Sequence, residues 1–283
     1  MSITIQQLNE LKKNNSKRKS KKRIVQLLPK SIKPLERDYL RDLLPIIQFA
    51  KETALKTLLP VIDKISHEIK SSKKRDSKRQ DDWIDELDSS FKIMRNIFGI
   101  RYSEEQIKKI AQKQAEKVNY QNKKSLNDSI EKVYGIRPIG LELWQIKEMK
   151  AFVRENVSLI KSMPDTTFSE VEKIVMRSVQ NGELTEDIAS KISDRFDVSE
   201  SRAALIARDQ TNKFNGSLSE IRQKDLGIES YVWRTSMDSR VRPEHQDRNN
   251  QVFKWDELPP DEIPGQPINC RCIALAVLSD GEE

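Results

Sequence analysis

Two short strand-like runs near the C-terminal end, held apart by a long polar connection, restrict the fold more than anything else in this chain. YVWRT alternates and is rich in aromatic and β-branched residues, which predicts a strand over Tyr231–Thr235, and Ile273–Leu278 reads as its partner. The intervening stretch, residues 236–272, is polar and proline-rich and far exceeds the usual connection, so it must be functional or internally stapled. Both cysteines, one of the two histidines and two of the four tryptophans fall in or beside it. Trp233, Asp238, Arg240, Arg242, His245, Gly265, Asn269, Cys270, Arg271 and Cys272 sit among turn-forming residues, the composition of a specified irregular module.

Upstream, apolar residues recur at helical spacing. Between Leu35 and Ile69 the stripe includes Leu40, Leu43, Leu44, Ile47, Leu55, Leu58, Leu59, Ile62 and Ile65, and Pro45 and Pro60 should start or kink helices within it. Trp83, Leu87, Phe91, Met94, Ile97 and Phe98 form a second stripe, closed near Gly99. Ser103 with Gln106 forms a capping box for a long polar helix toward Val133. A boundary is expected at Gly135–Gly140, where glycine and proline punctuate the chain.

Beyond that boundary, Leu141–Met163 reads as one helix with Leu143, Trp144, Ile146, Phe152 and Ile160 on its buried face, ended by Pro164. A capping box at Thr167 and Glu170 starts the next helix, which Asn181 and Gly182 stop. Thr185 caps a short helix carrying Ile188, Ile192 and Phe196, and Ser199 opens a last long one running to Gly227.

Only 36% of residues are apolar and 34% are charged, which favours exposed helices over a large single core. The net charge of +7 makes nucleic acid or an acidic protein surface a reasonable partner. The positive charge concentrates in two runs. One holds Lys12, Lys13, Lys17, Arg18, Lys19, Lys21, Lys22 and Arg23, and the other, between Lys70 and Arg79, holds Lys73, Lys74 and Arg75. Like-charge blocks are most often solvated linkers, with non-specific DNA contact as the functional reading.

Cysteines one residue apart cannot build a disulfide framework, so a reducing cytoplasm is the default. No apolar stretch has the length of a signal-peptide core or of the roughly 20 residues that span a bilayer, so the expectation is a soluble chain without a membrane anchor.

His245, Cys270 and Cys272 are the weak candidates for a metal site, with zinc as the cofactor and Asp238 as a recruitable fourth ligand. Their spacing argues against it, because residues i and i+2 on an extended strand lie about 6.6 Å apart. Buried structural cysteines are the competing reading. A cysteine nucleophile paired with His245 has no orienting third group. A nuclease using His245 with Asn249 or Asn250 lacks a second histidine in the module. A charge-assisted network of Asp238, Arg240, Arg242 and His245, with Gly265 and Asn269 shaping turns, would staple the loop without any chemistry.

The series IARDQTNKFN, YVWRTSMDSRVRPEHQ and PGQPINCRC resembles the C-terminal domain of the phage Mu F-like family of minor head proteins, also called phage head morphogenesis proteins. With the upstream NGELTEDIASKISDRFDVSESRAALIAR, the resemblance spans roughly Leu141–Leu278. Some relatives carry cysteines near Arg242 and His245 and a histidine before the final NCRC; Arg242 and Gln266 stand there in this chain, which counts further against zinc.

The resemblance implies a minor virion component and no catalysis. It would act with the portal protein and other head proteins in procapsid assembly, in the host cytoplasm and then in the virion, inside the capsid or near the portal. Contact with packaged double-stranded DNA would fit the basic runs.

The expected architecture is therefore mainly α with a C-terminal α+β module: an elongated helical N-terminal region and a small antiparallel sheet with a long polar loop. Residues 1–34 form a basic, flexible tail, residues 35–139 a partner-docking helical region with a basic linker at 70–80, and residues 140–283 the Mu F-like domain. A metal-dependent nuclease or toxin-like enzyme, and a non-specific DNA-binding protein, are the alternatives.

Overall fold

The computed structural model describes residues 24–29, 31–71, 77–138, 142–259 and 263–279, with Thr4, Gln7 and Glu10. The basic positions Lys12, Lys13, Lys17, Arg18, Lys19, Lys21, Lys22, Arg23, Lys73, Lys74 and Arg75 lie outside the described residues. In chain order the elements are β1 (Ile24–Val25), α1 (Lys33–Ser71), α2 (Ser77–Arg101), α3 (Glu104–Tyr134), α4 (Trp144–Gln180) and α5 (Thr185–Asp225). Then come β2 (Ser230–Arg234), α6 (Pro243–Asp247), β3 (Val252–Lys254) and β4 (Ile273–Ser279). The chain is mainly α with a small antiparallel sheet at its C-terminal end, as the residue pattern predicts.

The helices are fewer and longer than expected. Pro45 and Pro60 neither start nor end a helix, since α1 runs through both. A proline inside a helix costs roughly 3 kcal/mol, whereas fully burying one Leu or Ile side chain contributes roughly 1.5–3 kcal/mol. Leu43, Ile46 and Ile47 around Pro45, and Leu58 and Ile62 around Pro60, are fully buried. Continuous burial of this stripe outweighs the two missing backbone donors, and both proline rings face outward.

Pro164 likewise lies inside α4. Thr167 does not cap a new helix; its hydroxyl donates to the Met163 carbonyl at 2.8 Å, one turn back. Ser199 also fails to open a helix, because Ile188, Ile192, Phe196, Ala203 and Ile206 stay in phase across it on one buried face of α5. At the start of α4, Leu143 and Ile146 are exposed rather than buried.

Other boundaries follow local chemistry. The Gln106 N–H reaches the Ser103 hydroxyl at 3.4 Å, and the Ile107 N–H bonds the Ser103 carbonyl at 3.1 Å. Helix α5 ends in a Schellman turn, where Gly227 N–H donates to the Lys224 carbonyl and Ile228 N–H to the Gln223 carbonyl, both at 2.9 Å. This turn delivers the chain into β2.

The chain forms two compact units. One comprises the chain up to Arg37 with Gln112–Val153 and Arg208–Glu283, and the other comprises Asp38–Ala111 and Arg154–Ala207. The second unit is helical, with Phe168 meeting Phe98 edge-on at 5.3 Å and Phe196 at 6.3 Å.

In the first unit the strand order is β1-β4-β2-β3, all antiparallel, with Tyr231 opposite Ala276 and Trp233 opposite Ala274. Ile24–Val25, within the stretch read as a basic tail, form an edge strand, and Gln26 follows it. Gln26 N–H donates to the Ala276 carbonyl at 2.8 Å, and its side-chain oxygen accepts from Ala276 N–H at 3.1 Å. Alternate strand residues serve different cores: Ala276 and Leu278 pack with Leu126, Ile130, Leu226 and Ile228, while Leu275 and Val277 pack with Val232.

Candidate functional site

The connection between β2 and β4 is folded rather than loose, because α6 and β3 form within it and it lies against α5. Asn250 N–H bonds the Trp233 carbonyl at 2.8 Å, and Trp233 N–H bonds the Gln251 carbonyl at 2.9 Å, so β3 enters beside β2. Asn249 and Asn250 serve this turn. Asn249 Oδ1 accepts the Thr235 N–H at 3.1 Å, and Asn250 Oδ1 accepts from Arg234 at 2.5 Å.

Close backbone approach fixes the far end of the connection. A Cβ added to Gly216 would meet the Pro264 carbonyl oxygen at 2.6 Å, and one added to Gly265, whose φ is +96°, would meet the Asn212 oxygen at 2.9 Å. Only glycine at both places lets the chain lie directly on α5. Gln266 reinforces the contact by donating to the Lys213 carbonyl at 3.2 Å and to the Ser217 hydroxyl at 2.7 Å. Asn269, at φ +61°, presents its N–H to Asp209 at 3.0 Å.

These constraints bring His245, Cys270 and Cys272 together. All three are buried, and both sulfurs lie 3.5 Å from His245 Nδ1. The separation expected for an extended Cys-Arg-Cys segment does not apply, because regular strand structure begins only at Ile273, after the turn at Asn269. Trp233 holds the imidazole edge-on at 5.1 Å, with the Arg248 guanidinium 5.2 Å from the indole centroid.

The two thiols differ in acidity. A hydrogen bond from the Cys272 thiol lowers the Cys270 pKa to about 6 against the opposing effect of burial, helped by the backbone N–H groups of Cys272 and Gly265 and by His245. Cys272 is pushed well above the ordinary thiol range by its hydrogen bond with Cys270 and by burial.

Arg208, Asp238, Arg240, Arg242 and Arg271 join the three side chains around a cleft of about 440 Å³. Arg242 donates to the Ile268 carbonyl at 3.0 Å, and Asp238 accepts the Arg240 N–H at 3.1 Å. Arg271 points away from its cysteine neighbours. It forks onto Glu36 of α1, with Nε to Oε1 at 3.0 Å and Nη2 to Oε2 at 2.6 Å, while Asn212 donates to Oε1 at 2.8 Å.

Sequence reasoning missed this pair and a second buried arginine. Arg222 is 1% exposed, donates to Glu142 at 2.8 and 3.0 Å and to Asn119 at 2.8 Å, bonds Asn122, and lies 5.1 Å from the Trp144 ring centroid. Gln223 accepts from the Trp255 indole at 3.2 Å and donates to the Ala274 carbonyl at 3.1 Å. A polar residue on a polar helix carries no local signal of burial.

A helical chain ending in a four-stranded antiparallel sheet, with a polar connection pinned to the last long helix, defines a small α+β module dominated by structural contacts. Residues 169–275 match the sequence model of the family described as Phage Mu protein F like protein. This C-terminal stretch is thus similar to the phage Mu F-like family, within the span that the residue pattern indicates. An uncharacterized protein of Haemophilus influenzae is 36% identical over 138 residues, which cover 48% of this chain and 31% of that protein. The match therefore spans about a third of the relative's length. No solved structure matches the chain.

Proposed function

We propose that the chain is a minor capsid or head morphogenesis protein of a tailed phage or prophage, acting with the portal and other head proteins in procapsid assembly. The family match over residues 169–275 carries this reading. It covers α5, the complete β2–β4 connection and its cleft, the part with the most specified structure. The buried arginines of this region bond carboxylates and amides of the chain itself, which suits a module built for rigidity. The role is non-enzymatic.

The protein would be made in the host cytoplasm and end in the virion, in the capsid interior or near the portal. Among the described residues no helix is long and apolar enough to cross a membrane. Packaged DNA is a second, non-specific partner through the basic runs at Lys12–Arg23 and Lys70–Arg79. The nuclease alternative gains little support, since His245 Nδ1 faces two thiols while Asn249 and Asn250 are occupied in the β2–β3 turn.

Co-expression with the portal protein of the same phage tests the reading. Co-sedimentation with portal rings is expected; a chain that stays behind while intact rings sediment contradicts it.

A further inference from the structure

We propose that His245 Nδ1, Cys270 Sγ and Cys272 Sγ form a binding site for a zinc-class divalent ion. Zinc bonds to sulfur at about 2.3 Å and to imidazole nitrogen at about 2.0–2.1 Å, so a tetrahedron around it has a nitrogen-to-sulfur edge of about 3.5 Å. Both such edges are present, at 3.5 Å each, and the ligand atoms of all three residues lie within 4.8 Å of one another. Two thiolates with one imidazole are a donor set that favours zinc over calcium or magnesium, which take oxygen ligands.

The surroundings prepare the site. Pro243 opens α6 and Trp233 packs on the imidazole, fixing where Nδ1 points. Cys272 N–H lies 3.4 Å from Cys270 Sγ, a donor aimed at sulfur that stabilises its charged form. Without an ion, the two buried sulfurs are held by weak hydrogen bonds with His245 Nδ1, and thiols are poor hydrogen-bonding partners.

The cleft, which all three ligand residues line, supplies an entry path. Asp238 lines the same cleft, and its buried Oδ2 has no hydrogen bond among the described residues and only long ion contacts, 3.8 Å to Arg240 and 3.9 Å to Arg271; a water would complete the tetrahedron. Binding displaces to solvent the protons that the two sulfurs still carry and forms two zinc–sulfur bonds. The ion would fasten α6 to the chain entering β4 and so close the long connection. The site stands independently of the assembly role.

The test uses the full chain, purified without chelator, with metal content measured and cobalt(II) titrated into chelator-treated protein. One zinc per chain is expected, with thiolate-to-cobalt charge-transfer absorption and a melting temperature that falls on chelation. Cys270→Ser, Cys272→Ser and His245→Ala should each lose the ion and the absorption, while His67→Ala, an exposed histidine on α1, should keep both. The site is refuted if folded wild-type chain offered excess zinc and cobalt takes up neither. It is equally refuted if any of the three ligand variants keeps the metal. The wild-type titration decides the matter even if a variant does not fold.

Discussion

Arg271, the residue between the two cysteines, grips Glu36 near the start of the first helix through two parallel hydrogen bonds of 3.0 and 2.6 Å. Both side chains are largely buried, at 15% and 7% exposure, and Asn212 bonds the same carboxylate at 2.8 Å. A planar guanidinium fork matches a carboxylate in a way lysine cannot. Glu36 in turn holds the Arg271 pKa above its ordinary value.

Removing one partner leaves a buried charge unpaired, which costs about 3–5 kcal/mol. Arg271→Ala and Glu36→Ala should each destabilise the chain near the lower end of that range, and Arg271→Lys should recover only part of the loss. A double-mutant cycle by urea unfolding should give clear coupling between the two positions. Independent, additive losses would contradict the pairing.

The glycines at the α5 contact make a second prediction. Gly216→Ala places a methyl group 2.6 Å from the Pro264 carbonyl oxygen. A backbone clash cannot be relieved by rotating a side chain, so the loop must shift, with an expected loss of about 2 kcal/mol or more. Gly99→Ala is the control, since nothing lies within 4 Å of the added atom. It should be neutral or slightly stabilising, because alanine favours a helix interior. Thermal melts of the two variants check both signs.

The pH dependence of stability should report on Glu142. Burial raises its pKa, but hydrogen bonding and charge from Arg222, then Lys123, outweigh burial and hold it below the usual carboxylate value of 4.5. A depressed folded-state pKa adds stability that is fully present above the unfolded-state value and is lost as pH falls through the folded one. Denaturant unfolding between pH 6 and pH 3, both values being about the carboxylate range, should therefore show a wild-type decline that is shallower in Glu142→Gln. An unchanged slope in the variant would show that Glu142 gains no stabilisation from Arg222.

The basic runs carry a fourth prediction. Phosphate contacts release counterions, so binding to duplex DNA should weaken linearly in a plot of log affinity against log salt. Neutralising Lys17, Arg18, Lys19, Lys21, Lys22 and Arg23 should reduce that slope without altering sequence preference. Salt-independent binding would argue against a phosphate-contact mode.

The strands β2 and β4 are apparent from alternation and β-branched content, and the family resemblance is apparent from the ordered motifs. Helix α1 continues through Pro45 and Pro60, and the breaks expected at Pro164 and Ser199 do not occur, because local breaker chemistry competes with a buried stripe that continues in phase, and the stripe wins. Strand β1, two residues beside a lysine-rich run, is too short to show periodicity. The Glu36–Arg271 pair joins residues 235 positions apart, and no local pattern announces it. An extended strand would hold the two cysteines apart, whereas the turn at Asn269 brings both sulfurs to one imidazole nitrogen.

Quantitative mass spectrometry of purified phage particles decides whether the chain is a minor head protein. The chain should be present in filled heads, in far fewer copies than the major capsid protein. Filled heads made by cells that express the chain, yet containing none of it, would contradict the account.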